Sequence, residues 1–227
     1  MPSTRAEGQT GGYDACLARM MLVLFLQFKL SDYLRRGRGK QRAAHPGSAY
    51  YRFPVYSRLK SQQHTLLRNL ANECPEYSKS VYYVAPVFHE QAQLREHHNS
   101  GHIIEESFFC PLEKTRPLTD DDPHCITFTE AHPPNPHWHS PAPGTPIEGM
   151  RGADFLESIS EDVAASSKRL SEPYFLDLIT QIERQSKQSA RRPASPSLSD
   201  LVEYAAWLSE TVLGSTMVLI AGPDASS

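Results

Sequence analysis

Asp14, Gln27 and Lys29 have the residue types and spacing for metal-assisted chemistry on a phosphodiester. In a β-strand, residues two apart project from one face, so Gln27 and Lys29 emerge together while Leu26 and Phe28 point the other way. A paired segment carrying Asp14 would then set a carboxylate beside a fixed ammonium. A hard cation such as Mg²⁺ takes carboxylate, carbonyl and water oxygens and activates the attacking water, while the lysine shares the charge developing on the phosphate.

Other clusters compete with this one. Arg35, Arg36, Arg38, Lys40 and Arg42 put five cations into eight residues, suited to nucleic-acid phosphates or to the acidic part of the same chain, Glu105, Glu106 and Asp120 to Asp122. Tyr50, Tyr51, Phe53 and Tyr56 follow and could stack on bases or fill a core. Ten histidines raise zinc, above all His124, His132, His137 and His139 with Cys125. Ligand pairs two to four apart in ordered turns are lacking, so the spacing disfavours zinc and reads instead as exposed imidazoles in a polar connector, with His97, His98 and His102 in the same class. A Gly-rich phosphate loop and a G-x-S-x-G elbow are both absent.

The elements that must position these groups follow from periodicity. Residues 11–16 read as a short extended segment and Met21 to Lys29 as a buried strand, with a helix over 13–26 as the alternative. Arg35 to Arg42 has no apolar face and reads as a mobile loop. An amphipathic helix is expected over Ser57 to Cys74, a strand over Ser80 to Ala85 with a helix over His89 to His98, and strands over Ile103 to Phe109 and Cys125 to Thr129. Six prolines between Ala131 and Gly149 predict an irregular connector. Helices over 153–165, 174–188 and 198–213 and a strand over 216–221 complete the chain.

Gly12-Tyr13-Asp14, followed after twelve residues by Gln27-Phe28-Lys29, resembles the Asp…(Glu/Gln)-x-Lys signature of the restriction-endonuclease-like, or PD-(D/E)xK, superfamily, with Tyr13 in place of its usual proline. The resemblance covers about the first 30 residues. It implies a nuclease in which Asp14 and Gln27 hold Mg²⁺, Lys29 assists catalysis, and Glu7 is the additional upstream acid. Val81-Tyr82-Tyr83-Val84-Ala85-Pro86 and Asp122-Pro123-His124 are similar to uncharacterised bacterial proteins, which implies no activity but suggests a defence or mobile-element setting.

The 227 residues, 39% hydrophobic, suffice for one ordinary core with at most a small appendage. The expected class is α/β: a single mixed sheet flanked by helices. Its expected organisation is a core over 1–130, a Pro/His-rich connector over 131–150, and a helical segment over 151–227 whose terminal strand packs on the same core. Cys16, Cys74, Cys110 and Cys125 form no C-x-x-C pair, which points to a reducing cytoplasm. The longest apolar run, Met20 to Leu26, is far short of the ~20 residues that span a bilayer, so no membrane association is expected. Charge divides unevenly: residues 1–70 carry 12 Lys/Arg against 3 Asp/Glu, the remainder 11 against 23. That asymmetry favours a polyanion partner or internal docking. Two functions fit: a Mg²⁺-dependent nuclease, or a non-catalytic binding or assembly module on the same fold. Oligomeric state and protein partners are not encoded legibly.

Overall fold

A computed structural model describes residues 21–57, 60–73, 77, 79–140, 143–165, 170–186 and 196–221. Among them the protein is mixed α/β, with five helices and two sheets. It divides into two compact units, Leu26–Ser158 and a second that joins the described residues up to Phe25 to those from Ile159 onward.

In the larger unit, five strands pair in the order β2 (Asp32–Leu34), β3 (Tyr50–Val55), β6 (His124–Phe128), β7 (His137–His139) and β8 (Thr145–Pro146). Every neighbouring pair is antiparallel. The register sets Phe53 against Ile126 and Ile126 against Trp138. Because side chains alternate, Tyr51, Phe53, Ile126, Phe128 and Trp138 share one face, while Cys125, Thr127, His137 and His139 share the other. Pro54 is tolerated within β3 because β2 ends opposite Arg52 and leaves that edge open.

Strands β4 (Val81–Pro86), β5 (Ser107–Pro111) and β9 (Met150–Arg151) belong to the second sheet, also antiparallel. The end of β1 (Met21–Phe28) enters this unit, and the Lys29 N–H just beyond it donates to Val84 O at 2.8 Å. Aromatic contacts join the sheets: Phe108 stacks on Phe128 at 4.2 Å between centroids, and Tyr83 meets Phe53 edge-on at 5.7 Å. Each such side chain, withdrawn fully from water, contributes roughly 1.5–3 kcal/mol.

Helix α1 (Gln63–Glu73) buries His64, Leu67, Leu70 and Ala71, the helical spacing expected from the sequence, and begins where Ser61 Oγ accepts from the Gln63 N–H at 3.2 Å. Helix α2 (Gln91–Ser100) buries none of its residues. Gln93 Oε1 caps it by accepting from the Glu90 N–H at 3.0 Å, and Gly101, at φ 75°, ends it. Helix α3 (Gly152–Ala165) starts in this unit, where Phe155 stacks on Phe109 at 3.8 Å.

In the smaller unit, α4 (Glu172–Ser186) buries Phe175, Leu178, Ile179 and Ile182, and α5 (Leu198–Leu208) buries Leu201, Val202, Ala205 and Leu208. Tyr204 links the two by donating to Glu183 Oε1 at 2.9 Å. Ser197 and Asp200 cap α5 reciprocally. A π-helical turn, Ser209–Leu213, continues it before Gly214 turns the chain into β10 (Thr216–Ala221), the neighbour of β1.

Two expectations are corrected. The single mixed sheet is two sheets, because β3 and the Pro/His-rich stretch supply a second set of antiparallel strands. The stretch read as an irregular connector carries β7, β8 and β9. Its prolines flank the strands or sit, like Pro146, on an edge where no N–H is required. No helix among the described residues is long and apolar enough to cross a membrane.

Candidate functional site

Gln27 lies on the buried face of β1 at 4% exposure, while its neighbour Phe28 is 63% exposed. The strand thus turns a polar group inward and an apolar one outward. Gln27 Oε1 is buried with no hydrogen-bond partner among the described residues. Lys29 sits in a shallow recess with Val55, Tyr56, Ser61 and His64, its Nζ 4.8 Å over the Tyr83 ring. Burial pushes the ammonium down to about 8 from its ordinary 10.5.

Beneath that ring lies a polar relay. The Tyr83 hydroxyl is 2.6 Å from His64 Nδ1, and His64 Nε2 is 2.9 Å from Arg116 O. A carbonyl oxygen only accepts, so Nε2 carries the proton and Tyr83 donates to Nδ1. Burial holds His64 down at about 4; the Arg116 bond opposes this, and the charges of Arg68 and Lys29 add to it. Asp14 and Glu7, the two carboxylates expected to face Gln27 and Lys29, lie outside the described residues.

The basic segment forms consecutive turns and a short 3₁₀ helix, Arg42–Ala44. Gly39, at φ 84°, approaches Tyr50 so closely that a Cβ there would fall 2.2 Å from the phenol oxygen. That oxygen donates to Arg38 O at 3.0 Å and fastens the turn to β3. Arg35, Arg36, Arg38, Lys40 and Arg42 are all exposed, and none forms an ion pair among the described residues. Lys40 and Gln41 border a cavity of about 630 Å³, shared with Asp122, Cys125, His139 and Ser140.

Thr127 anchors the histidine-bearing face of β6 and β7. Its Oγ1 lies 2.7 Å from His45 Nε2 and 2.9 Å from His139 Nε2. One hydroxyl proton serves one of them, so the other imidazole supplies an N–H. Burial, reinforced by His137, lowers both rings to about 4, with His139 contributing further at His45. The exposed-imidazole expectation is therefore corrected for His124, His137 and His139, which are buried, whereas His98, His102 and His132 are exposed. For His137 and His139 the cause is strand alternation, which commits Trp138 to the core and both imidazoles to the opposite face, whereas His124 lies on Trp138's own face. No three His, Cys, Asp or Glu side chains converge to hold a metal ion among the described residues.

Tyr50, Tyr51 and Phe53 are core residues, leaving Tyr56 as the half-exposed ring of that group. The Thr127 hub and the pairing of His124 with Ser140 were missed by sequence reasoning. The alternating His-Trp-His triplet was the available signal. No family model matches the chain, and no curated protein or solved structure is significantly similar to it.

Proposed function

We propose that the protein binds the phosphate backbone of nucleic acid through the 35–42 turn. The observation that carries this is the set of five exposed cations on an anchored turn, none paired with a carboxylate among the described residues. Internal docking onto Glu105, Glu106 or Asp120 to Asp122 would instead show as ion pairs. Glu106 is paired with Arg151 and Asp120 with His124. Cations free of carboxylates release counterions when they meet phosphates, so affinity should fall steeply with salt. The test is fluorescence anisotropy of labelled single- and double-stranded DNA and RNA across a salt series. Arg36→Ala/Arg38→Ala/Lys40→Ala should weaken binding and flatten the log–log salt slope by about 2 to 3. An unchanged slope would remove the turn from the interface.

Metal-dependent phosphodiester cleavage is the second reading, favoured by Gln27. An orphaned, buried amide oxygen two residues along the chain from a partly desolvated ammonium fits a ligand site for a hard cation. Gln27 Oε1 and Asp14 would hold Mg²⁺, which supplies Lewis acidity when bound. Lys29 remains mostly protonated at neutral pH and would hold the charge of the phosphate.

A further inference from the structure

The β6–β7 register aligns Ile126 with Trp138 and Cys125 with His139. One step further along that antiparallel ladder, Ser140 stands opposite His124, at the separation where cross-strand side chains meet. Ser140 Oγ lies 3.1 Å from His124 Nδ1. The other ring nitrogen, Nε2, is 3.2 Å from Asp120 Oδ1, out of line for a hydrogen bond, so that charge couples the pair. The Asp122 N–H in turn fixes Asp120 by donating to the same oxygen at 3.0 Å. Trp138 lies alongside the imidazole, 5.7 Å between centroids and tilted by 29°. A hydroxyl, a base within its reach and a carboxylate whose charge favours the protonated base are the parts of an activated nucleophile.

We propose that Ser140 and His124, with the Asp120 carboxylate beside Nε2, hydrolyse a carboxylic ester bearing an anionic group that reaches Ser140 from the 630 Å³ cavity, which Ser140 borders and His124 does not. The cavity has the size of a small-molecule site. Lys40 on its wall is a cation without a carboxylate partner among the described residues and suits the anionic group, while Ala43, Ala44 and Pro123 offer apolar contact. The proposal does not rest on nucleic-acid binding, although Lys40 belongs to both surfaces.

With Nε2–H facing Asp120, Nδ1 is free to act as the base. It takes the Ser140 proton as Oγ bonds to the ester carbonyl carbon. Collapse of the tetrahedral adduct breaks the C–O bond to the alcohol, whose oxygen receives that proton from Nδ1. Water then attacks the acyl-serine and gives a proton to Nδ1. Release of the acid returns the proton to Ser140 Oγ, so the net reaction is ester plus water to acid plus alcohol. The nitrogens exchange the places they usually take in such sets, which leaves the proton path intact.

The test is a fluorophosphonate probe read by intact mass and peptide mapping, beside turnover of p-nitrophenyl esters with neutral and carboxylate-bearing acyl groups. One adduct on Ser140 is expected, absent in Ser140→Ala, with turnover about 100-fold or more lower in Ser140→Ala and His124→Gln. Asp120→Asn should lower kcat with KM unchanged, which a merely structural role would not do. Lys40→Ala should raise KM for the carboxylate-bearing ester alone. Ser140→Ala removes only a hydroxyl, and circular dichroism verifies its fold. An unlabelled wild-type protein, or labelling and turnover that survive in Ser140→Ala, would overturn the proposal.

Discussion

The Tyr83 hydroxyl and His64 Nδ1, 19 residues apart in sequence, meet at 2.6 Å in the buried interior, beneath the ammonium of Lys29. Tyr83→Phe keeps the ring but strands the imidazole nitrogen without a donor. A buried acceptor left unmade costs about 1–3 kcal/mol. Urea denaturation should show that loss at pH 7, and an unchanged midpoint would mean that water replaces the phenol.

Acid should destabilise the protein before its carboxylates titrate. His45, His64 and His139 are held at about 4 in the folded state against 6.5 in the unfolded chain. Between those values the unfolded chain binds more protons, so stability is full above about pH 6.5 and declines as pH falls toward 4. Denaturant midpoints at half-unit pH steps should trace this slope, and Thr127→Val should alter it by breaking the hub that His45 and His139 share.

Lys29 acts in the opposite pH range. Its folded value of about 8 lies below the unfolded 10.5, so above pH 8 the unfolded chain holds the proton that the folded one releases. Stability should rise from about pH 8 to 9 in the wild type and not in Lys29→Met. Above about pH 9 the buried thiols of Cys110 and Cys125, and above pH 10 the phenols of Tyr51 and Tyr83, keep protons that the unfolded chain loses, which reverses the trend. A wild-type rise that persists in Lys29→Met would locate the titrating group elsewhere.

If the metal-dependent reading holds, purified protein cuts single- or double-stranded DNA or RNA with Mg²⁺ or Mn²⁺. Cutting is then lost in Asp14→Ala and in Lys29→Ala, and chelation abolishes it. Salt-sensitive binding without cutting in the wild type would leave the 35–42 turn as a binding surface alone.

Gly152 begins α3 against the backbone of Ile104, where an added Cβ would lie 1.7 Å from the carbonyl oxygen. Main chain cannot yield as a flexible side chain can. Gly152→Ala should therefore cost about 3 kcal/mol or more, read as a lowered thermal midpoint. Gly101→Ala is strained by its φ of 75° but meets no atom, and should cost less.

What the sequence revealed depended on the range of the forces involved. β1, β4, β6 and the five helices were legible because a run such as Val81 to Ala85, or the spacing of Leu67, Leu70 and Ala71, carries its own period. β3 was not, since Pro54 reads as a breaker until it is known that β2 ends at its edge. That Gln27 and Phe28 would face opposite ways followed from local alternation, although that Gln27 would be the inward residue did not. The Ser140–His124 meeting depends on a register between strands 16 residues apart in sequence, set by the loop that reverses at Thr129 and Pro134. No local pattern encodes such a register.

β2 and β8, the outer strands of the first sheet, are three and two residues long. β2 carries the charged Asp32, salt-bridged to Arg52 at 2.6 Å, and β8 ends in Pro146. A sixth strand from another molecule would find too few free amides at either margin to extend the ladder. Val81 to Ala85, a β-branched and aromatic segment prone to self-association by composition, is buried, with β5 as its hydrogen-bonded neighbour. The first sheet is therefore guarded against growth at its margins, and for β4 the hazard falls in the interval during synthesis before β5 has emerged to cover it.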